Sequence, residues 1–303
     1  MPGVLLLNPA AGASRGPKNW ELLRSLAEEF QLQLRLSEQP GDLTRFAHEE
    51  ALKGAALIMV GGGDDTIREV LLGLDEAGVF QRPRTSRPQL GILPLGTFNN
   101  FARHLGIPLD PRAAFECAFG GKLRYADLGQ VRWSGGRKVF TESVGVGVDV
   151  AAWRVFPAES PSVVRRIWDG ALAVVRALTV FRPRRYYLEA DGEVQHLRAQ
   201  SIIVANSVRF SAGFAIAPEA VMDDDHLDLC VIPALSKLGF LMAIPLIFLG
   251  KHTVYLKGVR YQRVRRVRIW AKHRCLFRVD GHIAGRAPLD IEVLGQSLPV
   301  RVP

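Results

Sequence analysis

The N-terminal part of the chain alternates between short apolar segments and longer segments whose apolar residues recur at helical spacing. Residues 4–7, 33–36, 55–60 and 90–93 have strand character, and 55–60 are apolar throughout, which is typical of a strand buried on both faces. Helical periodicity covers residues 20–30 and 67–74, and further helices are predicted to begin with Asp42 as cap and at Asp110-Pro111. This alternation predicts a doubly wound, mostly parallel sheet.

The pattern changes after residue 122, where strands follow one another with few helices between them. Residues 139–141, 186–190, 201–205, 227–232, 264–269 and 275–279 predict strands separated by turns that contain Gly, Pro or Asp. Apolar helical segments at 163–178 and 235–248 interrupt these strands. We therefore predict an α/β domain over residues 1–123 and an antiparallel β-sandwich domain over 124–303. The last strand is expected to pack back on the first domain.

Composition limits the possible functions. The chain is 48% hydrophobic and 23% charged, which is ordinary for a globular protein and excludes a disordered or collagen-like chain. A net charge of +9 favours a polyanionic partner, which leaves nucleic acid, nucleotide phosphates and an anionic membrane surface open. The arginines of residues 260–268 alternate with apolar residues, as on a half-buried strand, so we expect no nucleic-acid partner.

Cysteine usage and apolar stretches indicate a cytoplasmic protein. Cys117, Cys230 and Cys275 are widely spaced and form no CxxC pair, so neither a zinc ribbon nor a disulfide framework is predicted. The apolar run near the N-terminus predicts a first strand and not a signal peptide. The longest apolar stretch, residues 239–249, contains Pro245 and has about half the length that a membrane-spanning helix needs.

Three turns of small residues each follow a predicted strand. They are residues 60–66 (Val-Gly-Gly-Gly-Asp-Asp-Thr), 94–103 (beginning Pro-Leu-Gly-Thr) and 8–12 (Asn-Pro-Ala-Ala-Gly). Each turn alone is equally compatible with a purely structural role, and none is a Walker A loop because no Gly-Lys-Ser/Thr follows. Parallel strands bring their carboxyl ends to one edge of the sheet, where α/β proteins bind ligands. Together the turns therefore favour a phosphate-bearing ligand.

These motifs resemble the diacylglycerol kinase catalytic-domain family, in its bacterial lipid kinase and sphingosine-kinase-like branch. The family pattern is an NPxxG turn, a GGDGT turn followed by Asn-Glu, a PlGTxND corner, an aPxa…DGxLd segment and a late DGE. The corresponding segments here are residues 8–12, 62–66, 94–100, 217–220, 224–228 and 280–282. Their order and spacing fit along essentially the whole chain. The resemblance implies an NAD kinase/diacylglycerol kinase-like fold, with a nucleotide-binding first domain and an acceptor-binding second domain.

The resemblance also implies an ATP-dependent lipid kinase of phospholipid metabolism that uses Mg²⁺. The implied acceptor is a hydroxyl group of diacylglycerol or a related lipid, at the inner face of the cytoplasmic membrane, and a homodimer is compatible with the family. Asp224 would hold the metal, and Asp280 or His282 would act as general base. The implied nucleotide-binding residues are Asn8, Pro9, Gly12, Ser37, Gly62, Gly63, Asp64, Asp65, Thr66, Glu69, Gly96, Thr97 and Asn100.

The sequence departs from the family pattern at several motif positions. Asp65 replaces the glycine of GGDGT, and the following asparagine is Arg68. The aspartate of the PlGTxND corner is Asn100, the glycine of DGxLd is Asp225, and the glutamate of DGE is His282. Asp65 would adopt positive φ less readily than glycine, and its charge would need Mg²⁺ or Arg68 as partner. A catalytically impaired relative that binds nucleotide or lipid therefore stays open, as does a kinase for a non-lipid alcohol such as NAD.

Two apolar segments are candidates for the acyl-chain entrance. They are residues 238–249 and the helix that carries Trp168, Leu172 and Val175. The alternative is that both helices only cover the β domain. The basic residues expected to contact anionic headgroups are Arg165, Arg166, Arg182, Arg184 and Arg185.

Overall fold

The computed structural model describes residues 3–11, 17–155, 163–210 and 213–303. The chain divides into two compact units. Unit 1 contains Met1–Ala126 together with Gln296–Pro303, and unit 2 contains Asp127–Gly295.

Unit 1 is the α/β unit with the mostly parallel sheet that the sequence predicts. Strands β2, β1, β3 and β4 lie side by side in that order, and every neighbouring pair is parallel. Val300, near the C-terminus, continues the sheet by pairing in parallel with Leu90. The elements in chain order are β1 (Gly3–Leu7), α1 (Pro17–Glu29), β2 (Leu32–Leu36), α2 (Asp42–Leu52), β3 (Leu57–Gly62), α3 (Asp64–Glu76), β4 (Gln89–Pro94), α4 (Asn100–His104) and α5 (Pro111–Gly120).

Helices α1 and α5 bury their apolar residues against one face of this sheet. Leu23 and Leu26 of α1 and Phe115 of α5 form one cluster with Leu5 and Met59 of the strands. Helices α2 and α3 pack against each other, and α2 also packs against β1. Asp110 caps α5 as predicted, since its carboxylate accepts the N–H of Ala113 at 2.9 Å.

The prediction that Asp42 caps α2 is wrong. The cap is Gly41, with φ of 91°, and Asp42 is the first helical residue. Its carboxylate instead accepts the N–H groups of Glu38 and Gln39 at 2.9 and 3.1 Å. These bonds, the one from Glu38 foremost, and the bond from Arg45 lower the pKa of Asp42 to about 2. The residue therefore closes the preceding turn and not the helix end.

Unit 2 is built mainly from antiparallel strands. Its main sheet has the order β14-β13-β7-β9-β8-β12-β15, and β10 and β11 extend from β9. Strand β5 forms an antiparallel hairpin with β6. The first residues of β5 and the last residues of β15 belong to unit 1. The elements in chain order are β5 (Lys122–Trp133), β6 (Gly136–Phe140), β7 (Ser143–Gly147), α6 (Val148–Trp153), α7 (Val163–Val180), β8 (Arg184–Ala190), β9 (Glu193–Ala205), β10 (Leu227–Pro233), α8 (Lys237–Phe248), α9 (His252–Tyr255), β11 (Arg260–Val264), β12 (Arg266–Trp270), β13 (Leu276–Val279), β14 (His282–Arg286) and β15 (Leu289–Val302).

The single strand predicted over residues 264–269 is wrong, because the chain breaks at Arg265 into β11 and β12. The carboxylate of Asp191 accepts the N–H groups of Arg265 and Arg266, at distances from 2.8 to 3.1 Å. Strand β11 pairs with β10, whereas β12 pairs with β8 and β15. The adjacent Arg265 and Arg266 interrupt the two-residue period at this break.

Helices α7 and α8 each leave an apolar face exposed. On α7, Trp168, Leu172 and Val175 are 70, 45 and 37% exposed, whereas Ala173 and Ala177 are buried. On α8, both Leu238 and Met242 are 69% exposed, and the other face carries the buried Phe240, Ala243 and Ile247. In the described part of the chain, no helix combines the length and the apolar character that crossing a membrane requires.

Candidate functional site

The turns after β1, β3 and β4 meet at one edge of the unit 1 sheet, which confirms the predicted convergence. The N–H of Asn8 donates to the carbonyl of Gly61 at 2.9 Å, and the N–H of Leu95 donates to that of Gly62 at 2.9 Å. Ser37, which follows β2, joins the same edge because its N–H donates to the carbonyl of Leu7 at 3.0 Å. The backbone segments that follow four neighbouring strands therefore lie next to one another at this edge.

Two glycines allow the turns after β3 and β4 to touch. A Cβ atom on Gly96 would lie 2.4 Å from the Cα of Gly63, and one on Gly63 would lie 3.1 Å from the Cα of Gly96. A Cβ on Gly62 would overlap the side chain of Thr66, at 2.2 Å from its Oγ1. Larger residues would force the turns apart, so these glycines are required for close approach of the two backbones.

The carboxylate of Asp64 connects the same two turns. Asp64 is the first residue of α3, and its oxygens accept the N–H groups of Asn100 and Phe101, each at 3.0 Å. These N–H groups begin α4, so a residue of one turn caps the helix that follows the other. Asn99 closes the turn after β4, with φ of 51° and two hydrogen bonds to the backbone of Gly96 at 2.9 and 3.0 Å.

The first turn is connected to the second through Asn8. Its Nδ2 donates to Thr66 Oγ1 at 3.3 Å, and its Oδ1 accepts the N–H of Ala10 at 2.9 Å. Thr66 is buried and lies in the first turn of α3. Side chains of the turns after β1 and β3 therefore connect all three turns, and the turn after β4 contributes backbone N–H groups.

Asp65 does not adopt the positive φ that its replacement of a glycine led us to expect. It lies in the first turn of α3, and its side chain is 71% exposed. Its oxygen is 3.5 Å from Nε of Arg68, the partner suggested by the sequence. Because helical backbone accepts any ordinary residue, this departure from the family pattern costs little in conformation.

Three further residues of the predicted nucleotide set belong to these turns or to helix α3. Pro9 is half-buried in the first turn, and Thr97 is exposed in the third. Glu69 is half-buried on α3, and its carbonyl accepts the hydroxyl of Thr44 at 2.9 Å. Gly12 lies outside the described residues. A nucleotide-binding role for this set stays a prediction.

In unit 2, Asp280 and Gly281 form the two-residue turn that joins β13 to β14. Their φ angles are 41 and 79°, and Val279 pairs with His282, as in a type I′ hairpin. The Asp280 carboxylate is buried and accepts the N–H groups of residues 141, 142 and 143 at 2.8, 2.9 and 2.8 Å. His282 is exposed, with Nδ1 3.2 Å from the carbonyl oxygen of Asp280.

Asp224 has one carboxylate oxygen in an unusual position. Oδ1 accepts the N–H of His226 at 3.1 Å. Oδ2 is buried and accepts no hydrogen bond from the described residues. It lies 3.4 Å from Nη1 of Arg263. Such an oxygen fits one ligand position of a hard cation. No group of three His, Cys, Asp or Glu residues within the described ranges is arranged to hold a metal.

The neighbouring Asp225 has φ of 59°, in the left-handed region where the family has glycine. Its N–H donates to Oδ2 of the buried Asp127 at 2.9 Å. Aspartate is among the residues that tolerate this conformation, so the substitution is compatible with the turn.

Sequence reasoning assigned no role to Asp228, which is 2% exposed on β10. Its Oδ1 accepts the hydroxyl of Tyr261 at 2.7 Å, and this hydroxyl oxygen accepts the N–H of Glu219 at 3.3 Å. Burial, with the nearby charge of Asp224, raises the pKa of Asp228 to about 6, against the opposing effect of the bond from Tyr261. The available sequence signal was its place as the final aspartate of the 224–228 segment, inside an apolar strand.

Unit 2 also contains an apolar cavity that α6, α7 and α8 cover. Its wall includes Ala152, Ala173, Phe210, Phe214, Phe240 and Ile247. The faces of α7 and α8 that line it are opposite the exposed apolar faces. Trp168, Leu172 and Val175, which the sequence suggested as an entrance, are therefore outside the cavity wall.

Comparison with known proteins covers the whole chain. Residues 2–131 match the diacylglycerol kinase catalytic domain, and residues 142–302 match the YegS C-terminal NAD kinase beta sandwich-like domain. A Bacillus subtilis (strain 168) protein named diacylglycerol kinase is 27% identical over 99% of this chain and 95% of its own length. A Serratia proteamaculans protein named "Probable lipid kinase YegS-like" is 28% identical over 100% of this chain and 94% of its own.

A solved structure has the same fold. The crystal structure of a diacylglycerol kinase from Bacillus anthracis strain Sterne superposes with a TM-score of 0.76, at 24% identity, over 100% of this chain and 97% of that one. The predicted fold, an α/β domain with a mostly parallel sheet followed by an NAD kinase-like β-sandwich domain, is thereby confirmed.

Replacing Asp64 by alanine is expected to destabilise unit 1, because the N–H groups of Asn100 and Phe101 would be buried without an acceptor. The expected loss is about 2 kcal/mol in the free energy of unfolding, measured by urea denaturation. Asp65→Ala is the matched control, since the side chain of Asp65 is 71% exposed and replacing an exposed side chain should change stability by less than about 0.5 kcal/mol. Equal losses in both variants would contradict the capping role.

Asp228→Asn is expected to make stability less dependent on pH. Folding raises the pKa of this carboxyl from 3.8 to about 6, so its contribution to stability is complete below pH 3.8 and is lost as pH rises through 6. The free energy of unfolding of the variant, relative to that of wild type, should therefore increase by about 3 kcal/mol between acidic and neutral pH. Urea denaturation at several pH values measures this difference, with Asp290→Asn as control. A difference that stays constant with pH would refute the shift.

Proposed function

Because the chain belongs to the diacylglycerol kinase catalytic-domain family, in the group with the YegS C-terminal domain, we propose that it transfers the terminal phosphoryl group of ATP to a hydroxyl group of diacylglycerol or a related lipid. The observation that carries this proposal is the meeting of three small-residue turns, with Gly63 against Gly96, at the carboxyl edge of the parallel sheet. Such an edge is where α/β proteins bind phosphate-bearing ligands.

Unit 1 is assigned to the nucleotide. The backbone N–H groups of Gly63 and Thr97, in the two turns that the glycines bring together, are assigned to the phosphates. A carboxylate beside phosphate is ordinarily repulsive, but that of Asp64 already accepts two N–H groups, which compensate part of its charge. The residues assigned to position the nucleotide around these turns are Asn8, Pro9, Gly12, Ser37, Asp65, Thr66, Glu69 and Asn100.

Asp224 is assigned to Mg²⁺ because of its buried oxygen without a hydrogen-bond donor among the described residues. When bound, the ion would neutralise charge on the phosphates, while waters and phosphate oxygens complete its ligands. Arg263, 3.4 Å from the same oxygen, balances the carboxylate in the absence of a cation.

The hairpin turn of unit 2 is assigned to proton removal from the lipid hydroxyl. Asp280 uses both carboxylate oxygens to accept three backbone N–H groups, so we assign it the role of fixing the turn. His282 is exposed on the same turn, and a neutral imidazole nitrogen can accept a proton. His282 therefore replaces the family's glutamate as the proposed general base.

The acceptor lipid is proposed to come from an anionic membrane surface at the inner face of the cytoplasmic membrane. Trp168 on α7 and Leu238 and Met242 on α8 expose apolar area, and the basic Arg165 and Lys251 lie on or next to these helices. Aromatic and basic side chains around an apolar face favour binding at the membrane interface. The apolar cavity behind the same helices favours a lipid over a polar alcohol such as NAD.

A second candidate is a relative that binds nucleotide or lipid without turnover. Two observations favour it. Position 282 has no carboxylate, and Asp224 is the single metal ligand that we assign among the described residues.

Incubation of the full chain with labelled ATP, Mg²⁺ and a panel of lipids is expected to label a diacylglycerol-type lipid. His282→Ala should lower kcat by roughly 100-fold or more, because positioned acid–base groups contribute about that factor. His196→Ala, at an exposed histidine position of β9, is the control and should retain wild-type kcat.

The alternatives have distinct outcomes in this assay. Labelled NAD without labelled lipid would replace the lipid proposal. No labelled product from wild type, with turnover restored by His282→Glu, would identify a relative whose missing base is its defect.

Binding to vesicles that contain phosphatidylglycerol tests the membrane surface. The variant Trp168→Ser/Met242→Ser removes two exposed apolar side chains and is expected to weaken binding roughly tenfold in a sedimentation assay. Val194→Ser removes an apolar side chain that is 57% exposed on β9 and should leave binding unchanged. Equal binding by all three proteins would contradict the assignment of α7 and α8.

A further inference from the structure

A charged pair is buried in the wall of the apolar cavity of unit 2. Arg278 on β13 and Asp149 on α6 are joined by a 2.8 Å bond from Nε to Oδ2, and their side chains are 1 and 9% exposed. Desolvating two charges is costly, and an apolar pair of similar size would often be at least as stable. Stability alone therefore gives a weak reason for arginine at this position.

Arg278 has one donor group that no described residue accepts. Nε donates to Asp149 and Nη1 to Ser143 Oγ at 3.1 Å, whereas the buried Nη2 has no hydrogen-bond partner in the described ranges. The guanidinium group also stacks on Phe210, 4.4 Å from the ring centroid, and Phe210 is itself part of the cavity wall. A buried donor without an acceptor is destabilising unless a ligand satisfies it.

We propose that Arg278 selects an uncharged acyl lipid by donating Nη2–H to the carbonyl oxygen of the acyl group, whose chain occupies the cavity. This inference rests on the proposed function, because it names the chemical class of the acceptor lipid. It assigns Arg278 as a specificity-determining residue and Asp149 as the group that positions its guanidinium.

The charge balance of the pair explains the preference for a neutral ligand. Asp149 Oδ2 accepts the bond from Arg278, and its Oδ1 lies 3.0 Å from the hydroxyl of Ser201. A lipid ammonium would add a second positive charge beside the guanidinium, and a free carboxylate would leave a net negative charge in an apolar cavity. A carbonyl oxygen accepts the available hydrogen bond and adds no net charge.

The cavity is adjacent to the turn that carries the proposed base. Trp153 lines the cavity, and its ring would lie 2.9 Å from a Cβ atom built on Gly281. Gly281 separates Asp280 from His282 in the hairpin turn. A lipid whose acyl carbonyl is held at Arg278 would therefore have the polar end of its glycerol group near this turn.

The test is calorimetric titration of the full chain, without ATP, with monooctanoylglycerol and with its ether analogue octylglycerol, which lacks the carbonyl oxygen. Wild type is expected to bind the ester about tenfold more tightly, as one hydrogen bond from a charged donor implies. Octylamine should bind more weakly than the ester. Equal affinity for ester and ether, or no binding of either, would overturn the proposal without any variant.

A neutral variant isolates Arg278. Arg278→Met alone would leave the Asp149 charge buried, so the test uses Arg278→Met/Asp149→Asn, whose cooperative thermal unfolding is checked first. The ester-to-ether ratio is expected to fall to about one in this variant and to stay at the wild-type value in the control Arg266→Met, at an exposed position of β12. An unchanged ratio in the double variant would overturn the role of Arg278.

These titrations separate the inference from the proposed function. An ester preference in a protein that transfers no phosphate to any lipid would leave the Arg278 assignment standing and remove the kinase proposal. Lipid phosphorylation without an ester preference would leave the kinase proposal standing and remove the Arg278 assignment.

Discussion

The arrangement of unit 1 depends on the carboxylate of Asp64, which accepts the N–H groups of Asn100 and Phe101. Through this contact the turn after β3 holds the helix that follows β4, while Gly63 and Gly96 let the two backbones touch. Asn8 connects the turn after β1 to Thr66 in the same way. The edge of the sheet is therefore a rigid surface, which is what phosphoryl transfer needs, since the protein contributes mainly position and charge compensation to that reaction.

In unit 2, buried polar groups lie in and beside the hairpin of β13 and β14. Asp280 is held by three N–H groups and fixes the hairpin turn from which His282 projects. Arg278, two residues before Asp280 on strand β13, is buried in the wall of an apolar cavity and has a donor that the described residues leave unsatisfied. Buried polar groups are costly unless they are satisfied. Asp280 is satisfied by the backbone, whereas the unsatisfied Nη2 of Arg278 is the observation behind the acyl-lipid site that we propose.

Much of the fold and part of the site follow from the sequence. Hydrophobic periodicity predicts the parallel sheet, and the turns at residues 8–12, 60–66 and 94–103 follow from their position after strands. Local patterns fail where a distant side chain decides the backbone, as Asp191 does at the break between β11 and β12. They also fail at Arg278, because an arginine in a strand resembles an exposed one until long-range pairing brings Asp149 beside it.

The central claim is that the three turns of unit 1 form the phosphate site of a nucleotide-dependent lipid kinase. A crystal structure of the full chain with a non-hydrolysable ATP analogue and Mg²⁺ tests it most directly. We predict phosphate oxygens within hydrogen-bond distance of the backbone N–H groups of Gly63 and Thr97, with Asp64 still bonded to Asn100 and Phe101. Phosphates bound elsewhere, or an Asp64 carboxylate that leaves α4 to reach the metal, would contradict it.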